Sequence, residues 1–149
     1  MRLEIEHNSV SEDVKELFNL CFGQNRKDTE WSWKYQKSPK GFSASRCYDD
    51  DKLISQYGGI NYSCFANDKE HQIFQIIDVM THPKYRNGWT MIKTANKFFE
   101  YYCRGLNPLF LYGFTASASR KFHIKRLDYY SYTPIGYMQK KSILKRVIL

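Results

Sequence analysis

The stretch from Ile73 to Tyr102, IFQIIDVMTHPKYRNGWTMIKTANKFFEYY, limits the fold more than any other part of the chain. Ile73, Ile76, Ile77 and Val79 make a mostly apolar, β-branched run that suits a central strand covered on both faces. Pro83 stops the ladder. Beyond a basic turn holding Lys84, Arg86 and Gly88, apolar residues recur at helical spacing: Met91 or Ile92, Ala95, Phe98 or Phe99, and Tyr102. A strand that passes through such a turn into a helix leaves the helix's first amides without internal partners, at the positive end of its dipole. Lys84 and Arg86 add charge there, and Gly88 allows close approach of backbone. The result is a seat for a phosphate or pyrophosphate. An ordinary strand-to-helix connection with solvated charges fits the same residues, and the two remain open at this point.

The other elements follow from local pattern. Leu3 and Ile5 alternate with Glu4 and Glu6 in a short first strand. Ser9 and Ser11 can cap the helix that follows, with Glu12 at capping-box spacing from Ser9, before the stripe Val14, Leu17, Phe18 and Cys21, which Gly23 ends. Thr29 to Gln36 reads as a second helix, stopped by Ser38-Pro39-Lys40-Gly41. Trp31, Trp33 and Tyr35 are too crowded to share one face of it, so one or two should cover the core edge.

Phe42 to Tyr48, Leu53 to Phe65 and the Ile73 strand are separated by the turns Asp49-Asp50-Asp51-Lys52 and Ala66-Asn67-Asp68-Lys69, which predicts an antiparallel meander. Gly58 and Gly59 inside the second of these strands predict a bulge or a close backbone approach. Leu109 to Tyr112 is a further strand, parallel to the Ile73 strand if the crossover is right-handed. Ala116 to Leu127 reads as a helix, and Tyr129 to Tyr137 and Met138 to Ile148 as two closing strands. The fold class is therefore α+β, a mixed but mostly antiparallel sheet of about seven strands with about four helices on both faces, in one domain over residues 1–149.

With 149 residues, 42% of them hydrophobic, the chain can bury a real core. No apolar run approaches the length needed to cross a bilayer, and the first residues carry no apolar signal core, so a cytoplasmic protein with no membrane partner is expected. A formal charge of +8 favours a polyanionic ligand, either a nucleotide-bearing cofactor or nucleic acid. No nucleic-acid-binding module is recognisable, which makes nucleic acid the less favoured partner. Cys21, Cys47, Cys64 and Cys103 are widely spaced, and the four His are scattered, so no metal is expected.

Thr81-His82-Pro83-Lys84-Tyr85-Arg86, Trp33-Lys34-Tyr35 with Pro39-x-Gly41, and Tyr112-Gly113-Phe114 are the most specific segments. Together with the order β, α, α, βββ, α, β, α, ββ, they make nearly the whole chain resemble the GNAT superfamily of acyl-CoA-dependent N-acetyltransferases. The first segment is similar to the family's V-x-P-x-Y-R, with Thr81 in place of Val.

The resemblance implies acetyl-CoA as acyl donor, with its pantetheine arm between the fourth and fifth strands on backbone of Val79 and Thr81. It also implies a diphosphate on the amides of Arg86, Asn87, Gly88, Trp89, Thr90 and Met91. Transfer to a primary amine would be by direct attack, the acceptor being a small molecule or a protein amine. Asp78, at the end of the fourth strand, is placed to bind or deprotonate that amine, or equally to cap backbone or stabilise a bulge; His123 could protonate the leaving thiolate, or be a surface or half-buried helix residue. The family's proton-donating Tyr falls at Ile124 or His123 in this chain. Trp89 stands where the family's loop has Gly, and Met91 where it has a small residue. These departures keep open a domain of the same fold that binds or assembles without catalysis. An uncovered last strand could pair with a second copy as a homodimer.

Overall fold

The computed structural model describes residues 1–115 and 117–130. Strand β1 (Arg2–His7) is followed by helix α1 (Glu12–Phe22) and by α2 (Asp28–Trp31), which runs on as a π turn over Ser32–Gln36. Strands β2 (Phe42–Asp49), β3 (Lys52–Ala66) and β4 (Lys69–Thr81) form the meander. A 3-10 turn (Pro83–Tyr85) leads to α3 (Trp89–Phe98), which continues through a π turn (Phe99–Cys103) and a last α turn (Arg104–Leu106). Then come β5 (Phe110–Tyr112) and α4 (Ser117–Arg126).

The five strands lie in the order β1-β2-β3-β4-β5. All neighbours are antiparallel except β4 and β5, which are parallel, so the sheet is mixed as expected. The expected strands Tyr129 to Tyr137 and Met138 to Ile148 lie outside the described residues, apart from Tyr129 and Tyr130, which are not in a strand. Five strands are therefore described where about seven were expected. The hairpin at Asn67 and Asp68 has positive φ at both residues, 50° and 60°, the backbone that a two-residue turn between twisted strands requires.

Two apolar clusters flank the sheet. On one face Val14, Leu17 and Phe18 of α1 and Trp31 and Tyr35 of the α2 segment pack on Phe42, Ala44, Leu53, Ile60 and Met80. Of the three crowded aromatics, Trp31 and Tyr35 are buried and Trp33 is 69% exposed. On the other face Ala95 and Phe98 of α3, with Tyr102, pack on Tyr57, Phe74 and Ile76, and Leu127 joins them. Thr90 and Thr94 share the buried side of α3, while Met91 and Ile92 are only partly covered. The hydroxyls fit because they bond locally: Thr94 Oγ1 donates to the Thr90 carbonyl at 2.8 Å, and Ser45 Oγ to the Thr94 carbonyl at 2.5 Å.

The capping box at Ser9 does not form. Ser11 is the N-cap of α1, without a side-chain bond, and the Ser9 carbonyl instead accepts from Arg46 at 2.6 Å. Burying Arg46 requires partners for its guanidinium, and that demand outweighs a cap of ordinary strength.

Gly58 answers the sequence's prediction of close approach. A Cβ there would lie 2.7 Å from Cζ of Phe42, whose ring is buried and stacked near Tyr35, and 3.1 Å from the Ile77 carbonyl. Replacing Gly58 by Ala is expected to destabilise the fold by about 1–3 kcal/mol, seen as a lower urea midpoint at unchanged slope. An unaltered midpoint would contradict this packing.

Candidate functional site

The β3–β4 ladder breaks its register between Gln56 and Gly58. Gly58 faces Ile77 and Gln56 faces Met80, so Asp78 and Val79 together oppose Tyr57. This is a β-bulge, and Asp78 takes the bulged turn with φ of 47°. The parallel pairing of β4 with β5 ends at Gln75 and Tyr112, just before the bulge. Gly113 still lies beside Ile76, where a Cβ would come within 3.1 Å of the Ile76 carbonyl. From Ile77 to Thr81 the edge of β4 has no strand partner on the β5 side among the described residues. That unpaired edge is about 16 Å long at the usual rise per residue. It leads straight to the Pro83–Tyr85 turn and the start of α3.

At that start Gly88 has φ of 85°, and among the described residues nothing lies within 4 Å of where its Cβ would be. Trp89 is 67% exposed, so most of its indole is in solvent. The amides of Trp89 and Thr90 donate to Asn87 Oδ1 at 3.0 and 3.3 Å. The Arg86 and Asn87 amides close the preceding turn on the Pro83 and Tyr85 carbonyls. The Thr81 carbonyl already takes two donors, Arg86 Nε at 3.0 Å and Cys21 Sγ at 3.3 Å.

Asp78 is 6% exposed in its side chain and fully engaged. Arg26 donates to both carboxylate oxygens, at 2.6 and 2.8 Å, Lys34 Nζ to Oδ1 at 3.1 Å and the Tyr35 hydroxyl to Oδ2 at 2.8 Å. Arg26 is itself held over the rings of Phe18 and Trp31, 3.8 and 4.9 Å from their centroids. Behind the carboxylate a buried polar chain crosses the sheet. Gln56 Nε2 donates to the Tyr35 hydroxyl and the Asp78 carbonyl, while Gln56 Oε1 accepts from Arg46 Nε.

Burial alone would raise the Asp78 carboxyl, but the Arg26 and Lys34 charges and their hydrogen bonds outweigh it and hold it below the ordinary carboxylate range. Lys34 moves down because desolvation, aided by Arg26, exceeds the attraction of Asp78. A carboxylate with four donors and a lowered pKa is an anchor and a weak base. It binds a substrate ammonium only if Lys34 gives up its place.

His123 lies elsewhere, on the α3 face, 4% exposed and edge-on to Tyr129 at 5.3 Å between ring centroids. Its Nδ1–H donates to the Ser119 carbonyl at 2.8 Å, which fixes the tautomer and leaves Nε2 as a buried acceptor without a partner among the described residues. The hydroxyls of Tyr57 and Tyr129 meet at 2.8 Å beside it, and burial pushes Tyr129 up to about 12. Asp78 and His123 therefore belong to opposite faces of the sheet, joined only through the bulge that Tyr57 opposes.

A family model described as an acetyltransferase (GNAT) domain matches residues 7–124. The chain belongs to the GNAT acetyltransferase family. Solved GNAT-like structures are similar over nearly the full length. A Trypanosoma brucei acetyltransferase aligns at TM-score 0.68 and 14% identity, covering 93% of this chain and 100% of that one. An aminoglycoside 6'-N-acetyltransferase from Acinetobacter haemolyticus aligns at 0.70 and 14%, covering 95% and 99%. Glucosamine-6-phosphate N-acetyltransferase from Arabidopsis thaliana aligns at 0.66 and 13%, covering 94% and 99%. At these identities the likeness is one of fold. No curated protein matches in sequence. Among the described residues of this GNAT domain no group of three or more His, Cys, Asp or Glu is placed to hold a metal ion, and no helix is long and apolar enough to cross a membrane.

Sequence inspection found Asp78 but missed Arg26; it met Lys34 only as part of a family-like segment, and Tyr35 there and as a candidate for the core edge. Asp78→Asn should cost about 3 kcal/mol, because it leaves two half-buried cations uncompensated. The carboxyl is depressed in the folded state, so its contribution is complete above about pH 4, the unfolded value. It is lost as pH falls through the lower folded value. Urea melts at pH 7 and pH 3 should therefore differ less for the variant than for the wild type; an equal difference would contradict the ion pair.

Proposed function

We propose that this GNAT domain transfers an acetyl group from acetyl-CoA to a primary amine by direct attack. The observation that carries this is the parting of β4 from β5 at Gln75 and Tyr112, which leads an unpaired strand edge toward the start of α3. The residues fit the donor in two respects. No described atom lies within 4 Å of a Cβ built on Gly88, and the indole of Trp89 is largely in solvent. Backbone of Val79 and Thr81 would line the pantetheine arm, Thr81 through its amide because its carbonyl is taken. Of the amides from Arg86 to Met91, those of Arg86 and Asn87 are taken by the preceding turn, and those of Gly88, Trp89, Thr90 and Met91 would face the diphosphate.

When bound, acetyl-CoA supplies an activated thioester carbonyl. The amine nitrogen bonds to that carbon, the carbon–sulfur bond breaks, and the amine loses a proton while the thiolate gains one. Asp78 positions the acceptor side of the bulge through Arg26 and Lys34. His123, whose Nε2 has no partner among the described residues, would take the proton from the amine and return it to the thiolate. Small amines, amino sugars and protein N-termini all suit this chemistry. The domain would act in the cytoplasm, alone or as a homodimer. A binding or assembly role without turnover is favoured by one observation, the saturation of Asp78 by four donors.

Acetyl-CoA at a hundred times its dissociation constant should stabilise the fold by about 2.7 kcal/mol, a rise of roughly 5–10 °C in Tm for a domain of this size. No shift at millimolar acetyl-CoA would remove the proposal. Thiol release on a panel of amines separates catalysis from mere binding. His123→Gln should lower kcat by about a hundredfold or more with the acetyl-CoA Kd unchanged; unchanged turnover excludes His123 from proton transfer.

A further inference from the structure

The donors that a diphosphate needs at α3 are already in use. Asn87 Oδ1 accepts from the Trp89 amide at 3.0 Å, from the Thr90 amide at 3.3 Å and from Thr90 Oγ1 at 3.4 Å. Asn87 is one residue outside the N-cap Gly88, yet it performs the cap, since Gly88 has no side chain to do so. The side chain is exposed, so it can swing into solvent without opening the core. Thr90, in contrast, is buried and its hydroxyl is anchored in the helix mouth. A phosphate oxygen and the Asn87 carboxamide oxygen are the same kind of ligand for these amides, and both cannot occupy them.

We propose that Asn87 is a built-in competitor for the coenzyme diphosphate and sets how tightly this domain holds its acyl donor. This rests on the functional proposal above. In the free protein the carboxamide stabilises the start of α3. On binding, the diphosphate displaces it, so each binding event costs one helix cap. Removing the competitor therefore has two opposite effects, a less stable free protein and a tighter complex. A residue with a purely structural role would produce only the first.

Calorimetric titration of coenzyme A into the full chain, at one fixed ionic strength, tests this with Asn87→Ala and Asn87→Asp. N87A should lower the Tm of the free protein and tighten the coenzyme A Kd about fivefold, the factor that a cap of ordinary strength represents. N87D keeps an acceptor in the helix mouth and adds a negative charge, so it should hold or raise the free Tm and weaken Kd several-fold. N87D also serves if N87A does not fold. A wild type that binds, with N87A no tighter or N87D no weaker, overturns the role of Asn87 and leaves the acetyltransferase proposal standing. Failure of wild type and N87A alike to bind coenzyme A overturns both. Binding by N87A alone supports the competitor in its strongest form.

Discussion

The clamp on Asp78 is the contact on which the rest of this structure depends. A non-glycine residue at φ of 47° is disfavoured. Arg26, Lys34 and Tyr35 hold it there with four hydrogen bonds from the α1–α2 side of the sheet. The bulge that results puts two residues of β4 against one of β3 and bends the strand. Among the described residues the parallel ladder with β5 ends immediately before this bend. One buried ion pair thus connects the helical layer to the place where the sheet comes apart.

The same bulge separates two chemical environments. On the α1 face a charged chain runs from Arg46 through Gln56 and Tyr35 to Asp78, every link hydrogen-bonded. A satisfied buried network of this kind is rigid, and it specifies one geometry. On the α3 face His123, Tyr57 and Tyr129 form a smaller group, with one nitrogen left without a partner among the described residues. The cradle at α3 differs from both, because its donors are backbone amides and depend little on side-chain identity. Trp89 accordingly keeps most of its indole in solvent while its amide, like that of Thr90, is bonded to Asn87 Oδ1.

Much of the architecture was legible because it is written in short-range pattern. Turn residues at Asn67 and Asp68, alternation in β1, the helical stripe of α1 and the glycine pair in β3 each concern neighbours along the chain. They predicted the meander, the mixed sheet and the tight approach at Gly58. The apolar register of α3 was less legible, since two threonines took buried positions by bonding to nearby backbone. Asp78 could be singled out by its place at the end of an apolar strand. Its partners could not, because Arg26 and Lys34 are 52 and 44 residues away, and no local periodicity links a loop cation to a strand carboxylate. The capping role of Asn87 was hidden for a different reason. It depends on the backbone angle of Gly88, which residue identity permits but does not dictate.

The central claim is that the β4 edge beyond the bulge and the first amides of α3 form one continuous binding surface. Backbone amide spectra recorded during a coenzyme A titration test it most directly. The account predicts that the resonances of Val79, Thr81 and Gly88 to Met91 move together along one saturation curve, while those of β1 and β2 stay in place. Saturable shifts confined to other elements, or none in these two segments, would contradict it.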